Sequence, residues 1–551
     1  KMVTGTEMDW KQYKMSRYAT VEENINNNKY IDVQYMIDRF TEALTNDANN
    51  GDRNISQRTN LRKIYYHYLK SATNDFVADP LGTDVEVTHI QTAQELVEKI
   101  NSKPYGYYVL DNDIDFSEMT TNVTQTFMGR LDGNGHKIIG NKIPVFNKIR
   151  YGYVGNLIME NTDIPRKITN AGALAYKIES STAEKIDVTG LKIYLGNKND
   201  LSLIGGAISN VITRDCTVER LVTKISNKDE FVEKISSETG GLFELTSDIN
   251  FTGYTATTNA VITGTFTGKI NGNGHTISNL TNLSLFANFR GTVENLNISN
   301  FTNTSAGRGN GDFVAAFAQE TYTATFKNMK FNNITLSGRN NVAVITGMDG
   351  RENANSVFEN ISVKNANVTG TGVYVSTFAG RKYGGLIKNV SVQGTLNVTS
   401  TENGGLVGAM QQCGTIENVI TDVAITKTSN TYSNLANSVF NGSMIGNIYN
   451  TPKINSSIAF GNMTGYTDTS GNELVPYKFT GTTEAQVKAC LNNCYEVTEE
   501  IGSSRVNANT AGHLDTISRQ NLNKEFYKNL GFDETIWNLN SINNKGYPEL
   551  K

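Results

Sequence analysis

Gly404-Gly405-Leu406-Val407-Gly408-Ala409-Met410-Gln411-Gln412-Cys413-Gly414-Thr415-Ile416-Glu417-Asn418-Val419 is the clearest copy of a unit that recurs, with drift, from about residue 155 to residue 460. A small-residue turn leads through a short polar loop into a strand of the form Thr-Ile-x-Asn-Val-x-Val. Anchored on the strand asparagine, the copies fall at Asn295, Asn328, Asn360, Asn389 and Asn418, spaced by 33, 32, 29 and 29 residues. A fixed period in this range predicts a repeat architecture, because one unit cannot bury its apolar face without stacking on its neighbours.

Each asparagine is flanked by residues that suit a pleated, half-buried surface: Phe326, Met329 and Phe331; Phe358, Ile361 and Val363; Ile387, Val390 and Val392; Ile416, Val419 and Ile420. A second short strand follows in each unit, at 334–336, 366–368, 396–398 and 423–425. No unit holds a helix-length periodic segment. The expected fold is therefore mainly β: a right-handed parallel β-helix in two modules with helical lids, plus a small N-terminal helical region and a C-terminal cap. The recurrent asparagines are expected to form a side-chain amide ladder. Gly347, Gly380, Gly408 and Gly446 are expected at bends that need a positive φ or a close backbone approach.

Outward from the repeats, four regions are expected: a helical region over 1–85, a first β-helix module over 86–221, a second over 222–475 and a cap over 476–551. Val33, Met36, Ile37, Phe40 and Leu44 have helical spacing, as do Leu61, Ile64, Tyr65, Tyr68 and Leu69. The two modules are duplicates. Thr88–Ile100 matches Thr223–Ile235 at an offset of 135, and Phe127–Ile138 matches Phe266–Ile277 at an offset of 139. Each duplicate predicts a strand, a short amphipathic helix, a strand and a Gly-Asn-Gly-His turn. The helices, at 95–100 and 230–235, are expected to cover open sheet edges. Ala485–Asn493 and Thr516–Leu530 are also expected to be helical.

Composition narrows the function. Hydrophobic residues are 38% and charged residues 19% of the chain, with net charge −4, so no polybasic surface points to nucleic acid. No run approaches 18 apolar residues, so no membrane insertion is expected. The chain starts at Lys1 with no signal peptide or anchor, which fits a mature protein or an excised fragment, and the fragment is the favoured expectation. Many Asn-x-Ser/Thr sites, such as Asn333, Asn360, Asn389 and Asn397, are incidental in so Asn- and Thr-rich a sequence. Four cysteines are too few for a disulfide scaffold. Cys490 and Cys494 are spaced to form a local bridge or to stand as free thiols on one side of a short helix.

The search for chemistry is largely negative. None of the five histidines, His67, His89, His136, His275 and His513, is followed by Glu, so the His-Glu-x-x-His zinc site is absent. His136 and His275 occupy duplicated places, which argues for a structural task at a tight turn. Asp111, Asp113 and Asp115 suggest a calcium loop, but Phe116 and Asn122 stand where its Gly and Glu belong. Turn formation is the better reading. Asn161-Thr162-Asp163 alone does not make the paired-carboxylate site of a glycosidase. Catalytic residues: none; metal ligands: none; substrate-binding residues are not identifiable at this level.

The Gly-Gly-Leu-Val-Gly…Thr-Ile-Glu-Asn-Val unit resembles the GLUG repeat. The Gly-Lys-Ile-Asn-Gly-Asn-Gly-His-Thr-Ile turn at 268–277 resembles the non-catalytic β-helical region of the immunoglobulin A-specific zinc metalloproteases of Gram-positive bacteria. So does the tail, Phe526-Tyr527-Lys528-Asn529-Leu530-Gly531-Phe532 with Trp537 and Gly546-Tyr547-Pro548. The resemblance spans roughly 86–551 and carries no catalytic residue onto this chain. It implies a substrate-binding or spacer region of a secreted or cell-wall-anchored virulence protease. Zinc is expected in a catalytic domain following in the same chain, with no cofactor in this part. The implied partner is a host protein such as the immunoglobulin A heavy chain. An adhesin binding host protein or glycan is the alternative, and a polysaccharide-degrading β-helix enzyme a further one.

Overall fold

The computed structural model describes residues 87–551 apart from 105, 151, 166–167, 169, 180, 194–202, 210, 305–311, 351–354, 429–440, 467–478, 481–489 and 498–513, together with the strand pair Met2–Val3 and Glu7–Met8. Apart from that strand pair, the helical region expected over 1–85, including His67, lies outside the described residues, as does His513. The chain divides into two compact units with the boundary between Val222 and Thr223.

Both units are mainly β with parallel strands in sheets. The first unit holds a nine-stranded and a four-stranded sheet. Tyr153–Glu160 pairs with Thr182–Leu191 so that Leu157 lies beside Ile186 and Met159 beside Val188. The second unit holds a 17-stranded and a seven-stranded sheet. Each repeat adds a long strand to the larger sheet and a four-residue strand to the smaller: Thr325–Gly338 and Thr346–Asp349, then Val357–Gly370 and Ala379–Lys382, then Leu386–Val398 and Val407–Met410. The register sets like on like. Phe326 pairs with Phe358, Met329 with Ile361 and Phe331 with Val363. The Phe326 and Phe358 rings stack at 4.9 Å with planes 13° apart. Side chains from both sheets share one core cluster reaching from Ile225 to Cys494. Fully burying a side chain of this size contributes about 1.5–3 kcal/mol, so each repeat is held mainly by the repeats beside it.

The ladder asparagines are bends rather than ordinary strand positions. Asn295, Asn328, Asn360, Asn389 and Asn418 have φ between +53° and +57°, a left-handed conformation that asparagine tolerates better than most residues. The bend explains the three-residue step from Phe326 to Met329, which keeps both inside. The amides then bond from repeat to repeat: Asn328 Nδ2 donates to Asn295 Oδ1 at 3.0 Å, Asn360 to Asn328 at 2.9 Å and Asn389 to Asn360 at 3.0 Å. The ladder begins at Asn271, whose Oδ1 accepts from Asn295 at 3.1 Å. The recurring glycines serve close approach. A Cβ on Gly380 would lie 2.4 Å from Gly347 O, one on Gly408 2.5 Å from Gly380 O, and one on Gly446 2.3 Å from Gly408 O.

The duplicated helices are α1 (Ala93–Ser102) and α2 (Lys228–Ser237). Both start with the same cap. Thr92 Oγ1 accepts from Glu95 N at 3.2 Å and Asn227 Oδ1 from Glu230 N at 3.0 Å. Each first-turn carboxylate reaches back to the chain ahead of the cap, Glu95 to Gln91 N and Glu230 to Ser226 N, both at 2.8 Å. Leu96, Val97 and Ile100 bury one face of α1, and Phe231 and Ile235 one face of α2.

The C-terminal expectations need correction. Leu491–Asn492 is a strand, not the end of a helix. Over 516–530 the helix is confined to α3 (Lys524–Asn529), after a strand at Asp515–Ile517 and a 3-10 turn at Arg519–Asn521. Asn523 caps α3 by accepting from Phe526 N at 3.0 Å, which fixes its late start. Residues 522–550 lie against the outside of the larger sheet. Leu522, Tyr527, Phe532, Trp537 and Tyr547 form a second core there with Ile420, Ile458 and Phe460.

Candidate binding face on the smaller sheet

The residues singled out for chemistry are each occupied separately. Asp111 faces His89 Nδ1 at 2.7 Å. Asp113 accepts from Lys137 N at 3.0 Å, and this backbone bond holds its carboxyl below the usual range. Asp115 closes a turn by accepting from Ser117 N at 2.9 Å. His136 Nδ1 lies 3.3 Å from Asp113, and its duplicate His275 lies 3.3 Å from Asp248. Asp248 in turn accepts from Thr276 N at 2.9 Å. The aspartate, not the histidine, satisfies the strand backbone at this turn. Thr162 Oγ1 donates to Asn141 at 2.6 Å, both buried, while Asp163 lies 4.0 Å from Lys192. Cys490 and Cys494 are buried and not joined by a disulfide, and burial pushes their thiols up to about 11 and about 12. No group of three or more His, Cys, Asp or Glu side chains among the described residues could hold a metal.

The strongest concentration of recognition chemistry lies on the seven-stranded sheet of the second unit. Asn288, Glu320, Met348, Arg381, Ala409 and Asn447 share one register position along it. The first four of these are only half-buried. The residues after each strand form a second row: Arg290, Tyr322, Gly350, Tyr383, Gln411 and Tyr449. The Arg290 guanidinium lies 5.2 Å from the centre of the Tyr322 ring. Arg381 lies 4.8 Å from Tyr374 and 5.1 Å from Tyr383. A pocket of about 260 Å³ opens among Asn288, Arg290, Glu320, Tyr322 and Met348. Tyrosine, arginine and methionine are the side chains enriched in the buried centres of protein interfaces.

The corner preceding this sheet is strained. Tyr374 and Glu402 have φ of +64° and +60°, a conformation costly for side chains of this kind. Tyr374 N donates to Glu402 O at 2.9 Å, so the two occupy equivalent corners of successive repeats. Their side chains meet the face. Glu402 Oε1 accepts from Asn447 Nδ2 at 2.9 Å and from the Tyr449 hydroxyl. Burial, and then the Glu402 carboxylate, raise the Tyr374 phenol above its ordinary range. Glycine or asparagine would suit these corners better, as Asn341 does at the equivalent place. The tyrosine and glutamate are held at a conformational cost, in a cluster that can donate and accept hydrogen bonds.

This face carries no local sequence motif. Its members stand roughly thirty residues apart, one per repeat, and only the strand register brings them together.

Residues 70–190 match the profile of the M26 IgA1-specific metallo-endopeptidase N-terminal region. A Bacteroides ovatus crystal structure at 1.30 Å, of a protein assigned as an immunoglobulin A1 protease, aligns with a TM-score of 0.40 and 17% identity, covering 60% of this chain and 92% of that one. No curated protein matches. Over residues 70–190 the chain is thus similar to the N-terminal region of the immunoglobulin A1-specific metallo-endopeptidases.

Proposed function

We propose that this chain is a substrate-binding and spacing region of a secreted or cell-surface zinc metallopeptidase that acts on a host glycoprotein such as immunoglobulin A. In this reading the two sets of parallel sheets wind as right-handed parallel β-helices. Their stiffness holds an extended face at a fixed distance from the catalytic domain that follows. The observation that carries the reading is the family match over residues 70–190, in a chain whose five histidines include no His-Glu-x-x-His. The tyrosine- and arginine-bearing face supplies a surface suited to a protein substrate. No helix among the described residues is long and apolar enough to cross a membrane.

The test compares cleavage of immunoglobulin A by the catalytic domain with and without this chain attached. The reading expects KM to rise when the chain is removed while kcat changes little, because uniform binding is lost. Equal kcat/KM in the two formats would refute a binding role.

A further inference from the structure

One inward row of the seven-stranded sheet carries a charged pair. Thr321, Asp349, Lys382, Met410 and Ile448 share a register position, and all five are buried. Asp349 and Lys382 stand side by side on the strands Thr346–Asp349 and Ala379–Lys382, 33 residues apart in sequence. Lys382 Nζ lies 2.7 Å from Asp349 Oδ2, and neither side chain is exposed. The Phe358 ring centre lies 4.9 Å from Nζ. Thr321 Oγ1 donates to the other carboxylate oxygen, Oδ1, at 2.8 Å. As a purely structural device such a pair gives the core little, because desolvating two charges offsets most of their attraction. The rungs that follow fill the same place with Met410 and Ile448.

We infer that Lys382 and Asp349 condense to an amide between Nζ and Cγ, a covalent link between successive repeats. The inference is independent of what the region binds. A dry interior strips both charges of their hydration, which brings the neutral amine and acid within reach of the ion pair. The ammonium passes one proton to Oδ2 across the 2.7 Å contact. The freed nitrogen lone pair attacks Cγ, and Thr321 Oγ1 hydrogen-bonds Oδ1, the oxygen on which charge develops. The Oδ2 hydroxyl leaves with a second Nζ proton as water. One ammonium and one carboxylate thus give one amide and one water, with charge balanced and no oxidant or cofactor consumed. Fixed proximity drives the step, since well-oriented intramolecular partners reach effective molarities of about 10⁵–10⁸ M. The competing nucleophile at this carboxyl is the amide of the next residue, Gly350, which would close a succinimide. Gly350 N is instead engaged, donating to Thr321 O at 2.7 Å. Only the native register brings Lys382 to Asp349, so condensation follows folding: a freshly folded chain holds the ion pair and an aged chain the amide. The link closes a loop that constrains the unfolded chain, at one junction of an array in which each repeat is held by its neighbours.

The test is intact-mass spectrometry of the full chain, isolated in denaturant, refolded and sampled over time, with tryptic peptides sequenced at each point. The aged wild type is expected to be lighter by one water. Trypsin should no longer cut after Lys382, and the peptide holding Lys382 should be joined through its side chain to the one holding Asp349. The urea midpoint should rise as the water is lost, while freshly refolded samples report the ion pair alone. Lys382→Arg keeps the positive charge but not the amine, and its mass should stay that of its sequence. Thr321→Val removes the hydrogen bond to Oδ1 and should slow the water loss by about 10²-fold. Circular dichroism of each variant establishes that the fold is retained; if either fails to fold, the joined peptide of the wild type decides alone. An aged wild type that keeps its full mass would overturn the inference. Equal water loss by Lys382→Arg would do the same, because it would assign the loss to a succinimide. Water loss by Thr321→Val at the wild-type rate would remove the role given to the hydroxyl.

Discussion

The Trp537 indole Nε1 donates to Asn389 Oδ1 at 3.2 Å, joining buried residues 148 positions apart. Asn389 is a member of the amide ladder, bonded through Nδ2 to Asn360. The tail thus closes over the outer side of the ladder, assisted by Asn418 Nδ2 to Gly531 O at 2.8 Å and the Tyr547 hydroxyl to Asp422 at 2.6 Å. Trp537→Ala removes a fully buried indole and should cost about 3–5 kcal/mol locally. Hydrogen exchange should show lost protection over 522–551, with Leu386–Val398 and Thr415–Lys427 still protected. Loss of protection across the whole second unit would show that the tail is integral to the sheet rather than laid upon it.

The ladder asparagine has two separable tasks. Asn360 holds φ at +57° and bonds both neighbouring amides. Asn360→Gly keeps the bend and loses the bonds, costing about 1–2 kcal/mol. Asn360→Ala loses the bonds and adds about 1–2 kcal/mol of left-handed strain. Urea midpoints should therefore fall in the order wild type, Gly, Ala. An alanine variant as stable as the glycine variant would remove the conformational part of the account.

Lys382 Nζ and Asp349 Oδ2 form an ion pair at 2.7 Å inside the second unit, and both side chains are wholly buried. Thr321 Oγ1 donates to the other carboxylate oxygen at 2.8 Å, and the ammonium lies 4.9 Å from the centre of the Phe358 ring. Lys382→Met or Asp349→Leu alone leaves one buried charge without its counterion and should cost about 3–5 kcal/mol. The double variant should recover most of that loss in a double-mutant cycle. Additive losses would contradict the pairing.

Lys427 is buried near the end of Thr415–Lys427, and burial lowers its ammonium to about 8. A lysine in the unfolded chain titrates near 10.4, so between the two values the unfolded state binds more protons. Stability contributed at this site therefore rises as pH increases from about 8 to about 10.4, by at most about 3 kcal/mol. The stability difference between wild type and Lys427→Met should move in the wild type's favour across that window. A difference independent of pH would show that the ammonium is not destabilised by burial.

Much of the architecture was legible because it is periodic. The 135-residue offset between the helix blocks places Thr92 with Glu95 and Asn227 with Glu230, and both pairs cap helices as such spacing implies. The asparagine period located the ladder. Its conformation was less legible, since the left-handed bend falls on asparagine while the recurring glycines serve contact between repeats. Leu491–Asn492 follows a helix-like apolar spacing, yet pairing with Lys453–Asn455 draws it into the sheet. The tail's place on the sheet face depends on bonds such as Trp537 to Asn389, which no local pattern encodes. The tyrosine face was hidden for the same reason: Tyr322, Tyr383 and Tyr449 become neighbours only once the register is known.

The most direct measurement is surface plasmon resonance of the purified chain against immunoglobulin A, with the heavy chain analysed by mass after contact. Saturable binding that leaves the heavy chain uncut is predicted. Absence of binding at substrate concentrations that saturate the parent protease, or heavy-chain cleavage by this chain alone, would contradict the account.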